Sequence, residues 1–317
     1  MKKYLISMIA LLIIGAIICG GGAIMYAQSD NKIFEKDLEY TQKEYVAESE
    51  INAIDFSLMG AYNFILQRGE TCSVSYYESE ISQFTVLEEN GVLKMQEKYE
   101  WKNMITRWYS KQKKTDLVLT VPEDVVLSMD CHFSGAVALT LPEWEYGDIN
   151  MRVSGATAIS SESTIKAGKF NLNVSGAFSA NLKGEFESID LKGSGASDIV
   201  FDGSAQSINI KSSGATEFKS VELSCQQINV DVSGTAEILI KGEGGEFKTH
   251  ASGYCELDAG EFSLNKLDID ASGYVDMTVN VKDEIIAHAS GSVKVDYYGD
   301  PKISTSGSSK GKYNKIG

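Results

Sequence analysis

Ser-Gly pairs recur at Gly135, Gly155, Gly176, Gly195, Gly214, Gly234, Gly253, Gly273, Gly291 and Gly307. The interval is close to 20 residues and shortens at the end. A fixed period of this size marks a solenoid, a propeller or an array. A propeller blade needs four strands and about 40 residues, so it does not fit this interval. A leucine-rich repeat has the right length, but its Leu/Asn signature is missing.

Aligned on the repeated glycine, the chain shows a second, shorter period. Six residues before it stand Met129, Ile149, Phe170, Ile189, Ile208, Ile228, Phe247, Leu267 and Ile285. Four residues after it stand Leu139, Ile159, Ala180, Ile199, Phe218, Ile238, Leu257, Met277 and Val295. Even positions are apolar and odd positions polar, a strand signal with even side chains inward. Each period is therefore expected to be one circuit of a single-stranded parallel β-helix, an all-β fold of about 20-residue coils. The corner glycines Gly135, Gly155, Gly176, Gly195, Gly214, Gly234, Gly253, Gly273 and Gly291 occupy an even position. They are expected to point inward at a bend, where a Cβ would crowd the interior. The serine faces outward, its hydroxyl free for the turn backbone or the serine one coil away. Stretches such as "KGEFES" and "DGSAQS" are expected to close each circuit as Gly-rich turns.

The chain opens differently. "MKKYLISMIALLIIGAIICGGGAIMYA" carries two lysines and then no charge up to Ala27. About 20 apolar residues span a bilayer. Residues 1–27 are therefore read as an uncleaved transmembrane helix. Lys2 and Lys3 stay in the cytoplasm, and the rest of the chain lies outside as a single-pass membrane protein. A cleaved signal peptide would have a shorter apolar run and a small-x-small site. A lipoprotein would attach lipid at Cys19, but Ile18 is too large for that motif. Residues 28–49 read as a charged stalk, and 50–130 as wider initial coils with a basic-aromatic insertion. Residues 131–317 read as the regular solenoid, with "STSGSSKGKYNKIG" as a cap.

The net charge of −15 argues against a nucleic-acid partner, whose phosphates would repel the chain. Cys72, Cys131, Cys225 and Cys255 have no zinc spacing and read as small apolar fillers. No nucleophile elbow, phosphate loop or zinc-protease motif occurs.

With its columns laid out, the chain resembles a bacterial envelope family known as putative auto-transporter adhesins or head-GIN domains. The resemblance rests on the iterated "SGA" unit, on "LVLTVPEDVVLSMDCHFSGA" and on the closing "VDYYGDPKISTSGS", over roughly residues 50–313. It implies a single-chain β-helix outside the cytoplasm. It brings no catalytic residues to carry over.

Three features invite a functional reading. Asp198, Glu217, Glu237, Glu256 and Asp276 share one outward position on successive coils. Neighbours about 5 Å apart could attract calcium or a cationic polymer, or simply form a solvated acidic face. His132, His250 and His288 share another outward column, with Asp270 between the last two. Two strand spacings, about 10 Å, are too far for a compact metal site. Finally, "WKNMITRWYSKQKK" mixes basic and aromatic residues in an acidic chain. Trp101, Arg107, Trp108, Tyr109, Lys111, Lys113 and Lys114 suit contact with anionic lipid or wall polymer. The competing reading is a hairpin whose aromatics cover the first coil.

The expected function is non-catalytic: a membrane-anchored binding, adhesion or scaffold module of the cell envelope, with an envelope polymer or another envelope protein as partner. No cofactor is expected beyond calcium on the acidic column. A sensing module that signals through membrane partners is the alternative. A polysaccharide-cleaving β-helix comes third, because an acid/base pair in a cleft is missing.

Overall fold

The computed structural model describes residues 38–98, 115–161, 163–308 and 311–317. All regular structure among them is β-strand. The expected transmembrane helix at residues 1–27 lies outside this set. Among the described residues no helix is long and apolar enough to cross a membrane. The strands are β1 (Thr41–Val46), β2 (Ala53–Leu58), β3 (Ala61–Gly69), β4 (Ser73–Glu78), β5 (Phe84–Glu89), β6 (Val92–Glu97) and β7 (Thr115–Pro122). There follow β8 (Leu127–Phe133), β9 (Ala136–Leu141), β10 (Glu145–Val153), β11 (Ala156–Ser161), β12 (Ile165–Val174), β13 (Ala177–Gly193) and β14 (Ala196–Ser212). The last seven are β15 (Ala215–Val232), β16 (Thr235–Ala251), β17 (Tyr254–Ala271), β18 (Tyr274–Ala289), β19 (Ser292–Tyr298), β20 (Lys302–Ser306) and β21 (Lys312–Lys315).

From β8 onward each circuit pairs in parallel with the one before it, and the predicted columns are real. Met129, Ile149, Phe170, Ile189, Ile208, Ile228, Phe247, Leu267 and Ile285 are consecutive register partners. All are buried. Stacking like on like lets each coil supply the hydrogen bonds and apolar cover that a lone coil lacks.

The closing segments are not turns. In β13 through β18 the strand runs unbroken from one Ser-Gly corner to the next, "KGEFES" and "DGSAQS" included. This third run pairs through its main chain, which is why its side-chain pattern is weak. Its inner positions Phe186, Ala205 and Cys225 are buried nonetheless. From Gly135 to Gly291 the glycine spacings vary between 18 and 21 residues. From β14 to β18 the difference is absorbed away from the Ser-Gly corner, in register shifts after Val200, Ser220, Leu239, Ala259 and Leu264. Gly203 and Gly242 take positive φ there, 134° and 126°. Asp202 Oδ1 accepts the Val221 and Glu222 N–H groups of the longer coil at 2.8 and 3.1 Å.

The corner glycines correct the expectation of an inward Cβ. Their missing side chains face the neighbouring coil. A Cβ on Gly214 would overlap the carbonyl oxygen of Gly195, and the same holds at each of the nine corners from Gly135 to Gly291. None of the nine has a positive φ, so close approach rather than backbone freedom demands glycine. That same carbonyl accepts the next coil's amide: Ala215 N–H donates to Gly195 at 3.1 Å. Gly307 differs, with φ 108°.

The N-terminal coils are ordered differently from the chain. β2 lies between β6 and β8, and β3 between β7 and β9. The first coil in sequence is thus second in space. β5 pairs antiparallel with β6, β4 with β7, and β1 with β4. Thr41–Val46, expected in a stalk, is therefore an edge strand of this cap. Among the described residues no corner lies beneath the "MGA" corner at Gly60: β6 ends at Glu97 and β7 begins at Thr115. Glu97 fills that role. Its Oε2 accepts the Met59 and Gly60 N–H groups at 2.7 and 3.0 Å, and Oε1 accepts the Ser82 hydroxyl at 2.8 Å. The residue is 3% exposed. Further along, β20 and β21 continue the parallel columns on β18 and β19, so the described part of the polar tail extends the solenoid.

Two outcomes follow from this geometry. Gly214→Ala should lower stability by about 3 kcal/mol, since backbone rather than a side chain must move, whereas Ser213→Ala should cost under about 1 kcal/mol. Glu97→Ala should cost about 2–3 kcal/mol by orphaning buried amides, with Glu97→Gln costing less than half of that. Urea denaturation followed by circular dichroism measures both.

Candidate functional site

The outward columns are the chemistry-bearing surface. Asp198, Glu217, Glu237, Glu256 and Asp276 are successive register partners, as the spacing predicts. Their charges are not left bare. Lys219 pairs with Glu217. Lys294 Nζ lies 3.1 Å from Asp276 and 2.8 Å from Asp296. The Tyr254 hydroxyl donates to Glu256 at 2.7 Å. Partial burial, then the flanking Glu217 and Glu256, raise the pKa of Glu237 above the usual carboxylate value. Among the described residues no three His, Cys, Asp or Glu side chains converge as a metal cage. A column spreads its ligands along one line, and a cation needs them around a point.

Two residues before each acidic position, Ala gives way to Tyr254 and Tyr274. Their rings stack with centroids 5.3 Å apart and planes 1° from parallel. The doubled "SGY" in place of "SGA" is the sequence signal that marks this stack, and it was not among the predicted features. Arg68 was also unassigned. Its guanidinium lies 3.9 Å from the Trp144 ring centroid, and its Nη1 donates to the Pro122 and Val125 carbonyls at 2.5 and 3.1 Å.

The outward face on the other side of the Ser-Gly corner carries the histidines. Its column runs His132, Arg152, Asn173, Lys192, Lys211, Asp231, His250, Asp270, His288 and Ser306. The expected alignment holds, but the three histidines have separate partners. His132 Nε2 meets Arg152 at 3.2 Å, His250 Nδ1 meets Asp270 at 3.2 Å, and His288 Nδ1 meets the Ser306 hydroxyl at 3.1 Å. Among the described residues no carboxylate bonds the second nitrogen of His288. Beside this column runs an amide ladder. Asn171 donates to Asn150 at 2.7 Å, Asn209 to Asp190 at 2.9 Å, and Asn229 to Asn209 at 2.7 Å.

The four described cysteines are free and buried. Burial pushes the Cys72, Cys225 and Cys255 thiols up to about 11 and Cys131 higher still, which keeps them protonated and poor nucleophiles near neutrality. The basic-aromatic residues Trp101, Arg107, Trp108, Tyr109, Lys111, Lys113 and Lys114 lie outside the described residues.

The shift on Glu237 has a defined sign. Its folded value exceeds its unfolded one, so its ionised form destabilises the fold above the folded pKa. That penalty disappears as pH falls through the folded pKa. Glu237→Gln should therefore raise the melting midpoint at pH 7 by about 1 °C, with the difference closing below about pH 4. Differential scanning calorimetry at the two pH values checks it.

Known proteins can now be set beside this architecture. Several solved structures are similar to the chain at low identity. A putative adhesin from Bacteroides fragilis shares 18% identity, covering 88% of this chain and 97% of its own, at a TM-score of 0.33. A putative adhesin from Parabacteroides distasonis shares 13%, covering 89% and 99%, at 0.43. A protein from the same species described as a putative lipid binding protein shares 15%, covering 87% and 97%, at 0.43. No curated protein matches the chain. The family model described as "Putative auto-transporter adhesin, head GIN domain" matches residues 57–240 and 216–301. The chain belongs to that family.

Proposed function

We propose that the protein is a non-catalytic binding module of the bacterial cell envelope, held outside the cytoplasm by residues 1–27. The reading is carried by the continuous register of the outward columns that flank the Ser-Gly corner, from β8 to β19. Outward side chains repeat at one strand spacing, about 4.8 Å, along each column, and the acidic column repeats like groups. Such a surface suits an extended partner, an envelope polymer or another envelope protein, better than a small substrate that needs a closed cleft. Membership of an adhesin-described family supports the same reading. The uncharged run up to Ala27 and the two preceding lysines support the tether and its orientation.

Residues 101–114 serve in this reading as a contact for anionic lipid or wall polymer, through Trp101, Trp108, Tyr109 and the flanking basic side chains. The acidic column supplies a face for cationic groups, with the stacked tyrosines at its edge.

Protease treatment of intact cells, combined with crosslinking of the full-length protein, tests the proposal. External protease should remove the solenoid, and crosslinking should trap it on envelope polymer or an envelope protein. A chain protected from protease until the cells are broken would overturn the location. A chain that crosslinks to no envelope component would overturn the binding role.

A further inference from the structure

An open groove of about 370 Å³ follows the outer side of the first Ser-Gly corners. Residues 57–59, 132–134 and 152–154 wall it, and Asn173 and Ser175 extend it by one coil. Among the described residues no carboxylate lines it, although the chain carries a net charge of −15. Its fixed charge is Arg152, one of three arginines in the protein.

Arg152 is lightly engaged. Its Nη1 bonds His132 Nε2 at 3.2 Å and lies 4.0 Å from Asp130 Oδ1. Among the described residues it makes no other hydrogen bond, so most of its five N–H donors are available. The side chain is 59% exposed, and a free guanidinium fork matches a planar oxyanion in bidentate fashion. Beside it stand Ser134, Ser154 and Ser175 in one row. Ser134 and Ser175 reach the Leu58 and Val153 carbonyls only at 3.5 Å, and the Ser154 hydroxyl is exposed. Each hydroxyl therefore retains capacity toward a ligand. Half-buried Met59 adds an apolar spot.

We propose that this groove binds a uronate-bearing oligosaccharide. Arg152 takes the carboxylate, the serine row and Asn173 take ring hydroxyls, and Met59 meets a C–H face of the sugar. Hydroxyls repeated at about 4.8 Å suit a linear chain of hydroxylated rings. Leu58, Phe133 and Val153 are at most 3% exposed, so the side chains that reach a ligand are those of Arg152, the serines, Asn173 and Met59. Beyond Asn173 the same column continues with Lys192 and Lys211, which would meet later carboxylates of a longer polymer. The inference rests on the binding-module reading and adds to it a site and a ligand class.

Isothermal titration of the full-length chain with tetragalacturonate, maltotetraose and inorganic tripolyphosphate tests it. Tetragalacturonate should bind saturably and maltotetraose should give no binding. Arg152→Gln should weaken the uronate at least about tenfold, Arg152→Lys less, and Ser154→Ala about two- to threefold. An unchanged circular dichroism spectrum shows that these surface variants fold. Absence of uronate binding, equal affinity for the neutral sugar, or an Arg152→Gln variant that binds like wild type would overturn the proposal. Equally tight, Arg152-dependent tripolyphosphate binding would overturn the sugar assignment. Any of these failures in a chain that still crosslinks to envelope components would leave the broader reading standing.

Discussion

At each Ser-Gly corner two stretches of backbone touch with no side chain between them. The carbonyl of one glycine presses on the Cα of the next and accepts an amide one residue further on. This contact fixes the axial spacing of the coils and their register together. Columns of isoleucine and phenylalanine can stack only because the corner brings equivalent residues to equivalent heights. The outward ladders are a by-product of the same alignment. Asn209 lies between Asp190 and Asn229, and Tyr254 lies on Tyr274, because the corners beside them coincide.

The corner also explains which variation the fold tolerates. Extra residues do not appear where glycine meets glycine. They appear at the far side of the circuit, where glycines with positive φ and the Asp202 carboxylate accommodate a bulge. A bulge lets one strand carry an additional residue while its partner does not. The Ser-Gly edge is thus rigidly periodic and the opposite edge elastic.

Much of this was legible in the sequence, because a period of two sits inside a period of about 20. Ile208 and Ile228 could be placed on one column from spacing alone, and so could Glu217 and Glu237. The third run was not legible. Its pairing is main-chain, and its inner positions vary from Ala205 to Phe186, so no side-chain rhythm announces it. The direction of the glycines was misread because alternation gives the inward or outward sense and carries no information about the axial direction. The permuted N-terminal order was hidden because β2 reaches partners on both sides, one of which lies across the 98–114 segment. Glu97 looks like a surface residue in "LKMQEKY", and only the Met59 and Gly60 amides that it accepts give it a buried role. The oligosaccharide groove depends on what Arg152 lacks, and a sequence does not display unmet donors.

The Glu97 carboxylate stands in for a peptide carbonyl that another turn would have provided. A terminus completed in this way cannot be prolonged, since an added circuit would compete with the carboxylate for the same two amides. Tandem duplication in such a gene can therefore add no turn at this end without displacing the carboxylate. Whole turns can be gained or lost further along the array, and the Glu97 end does not have to be remade.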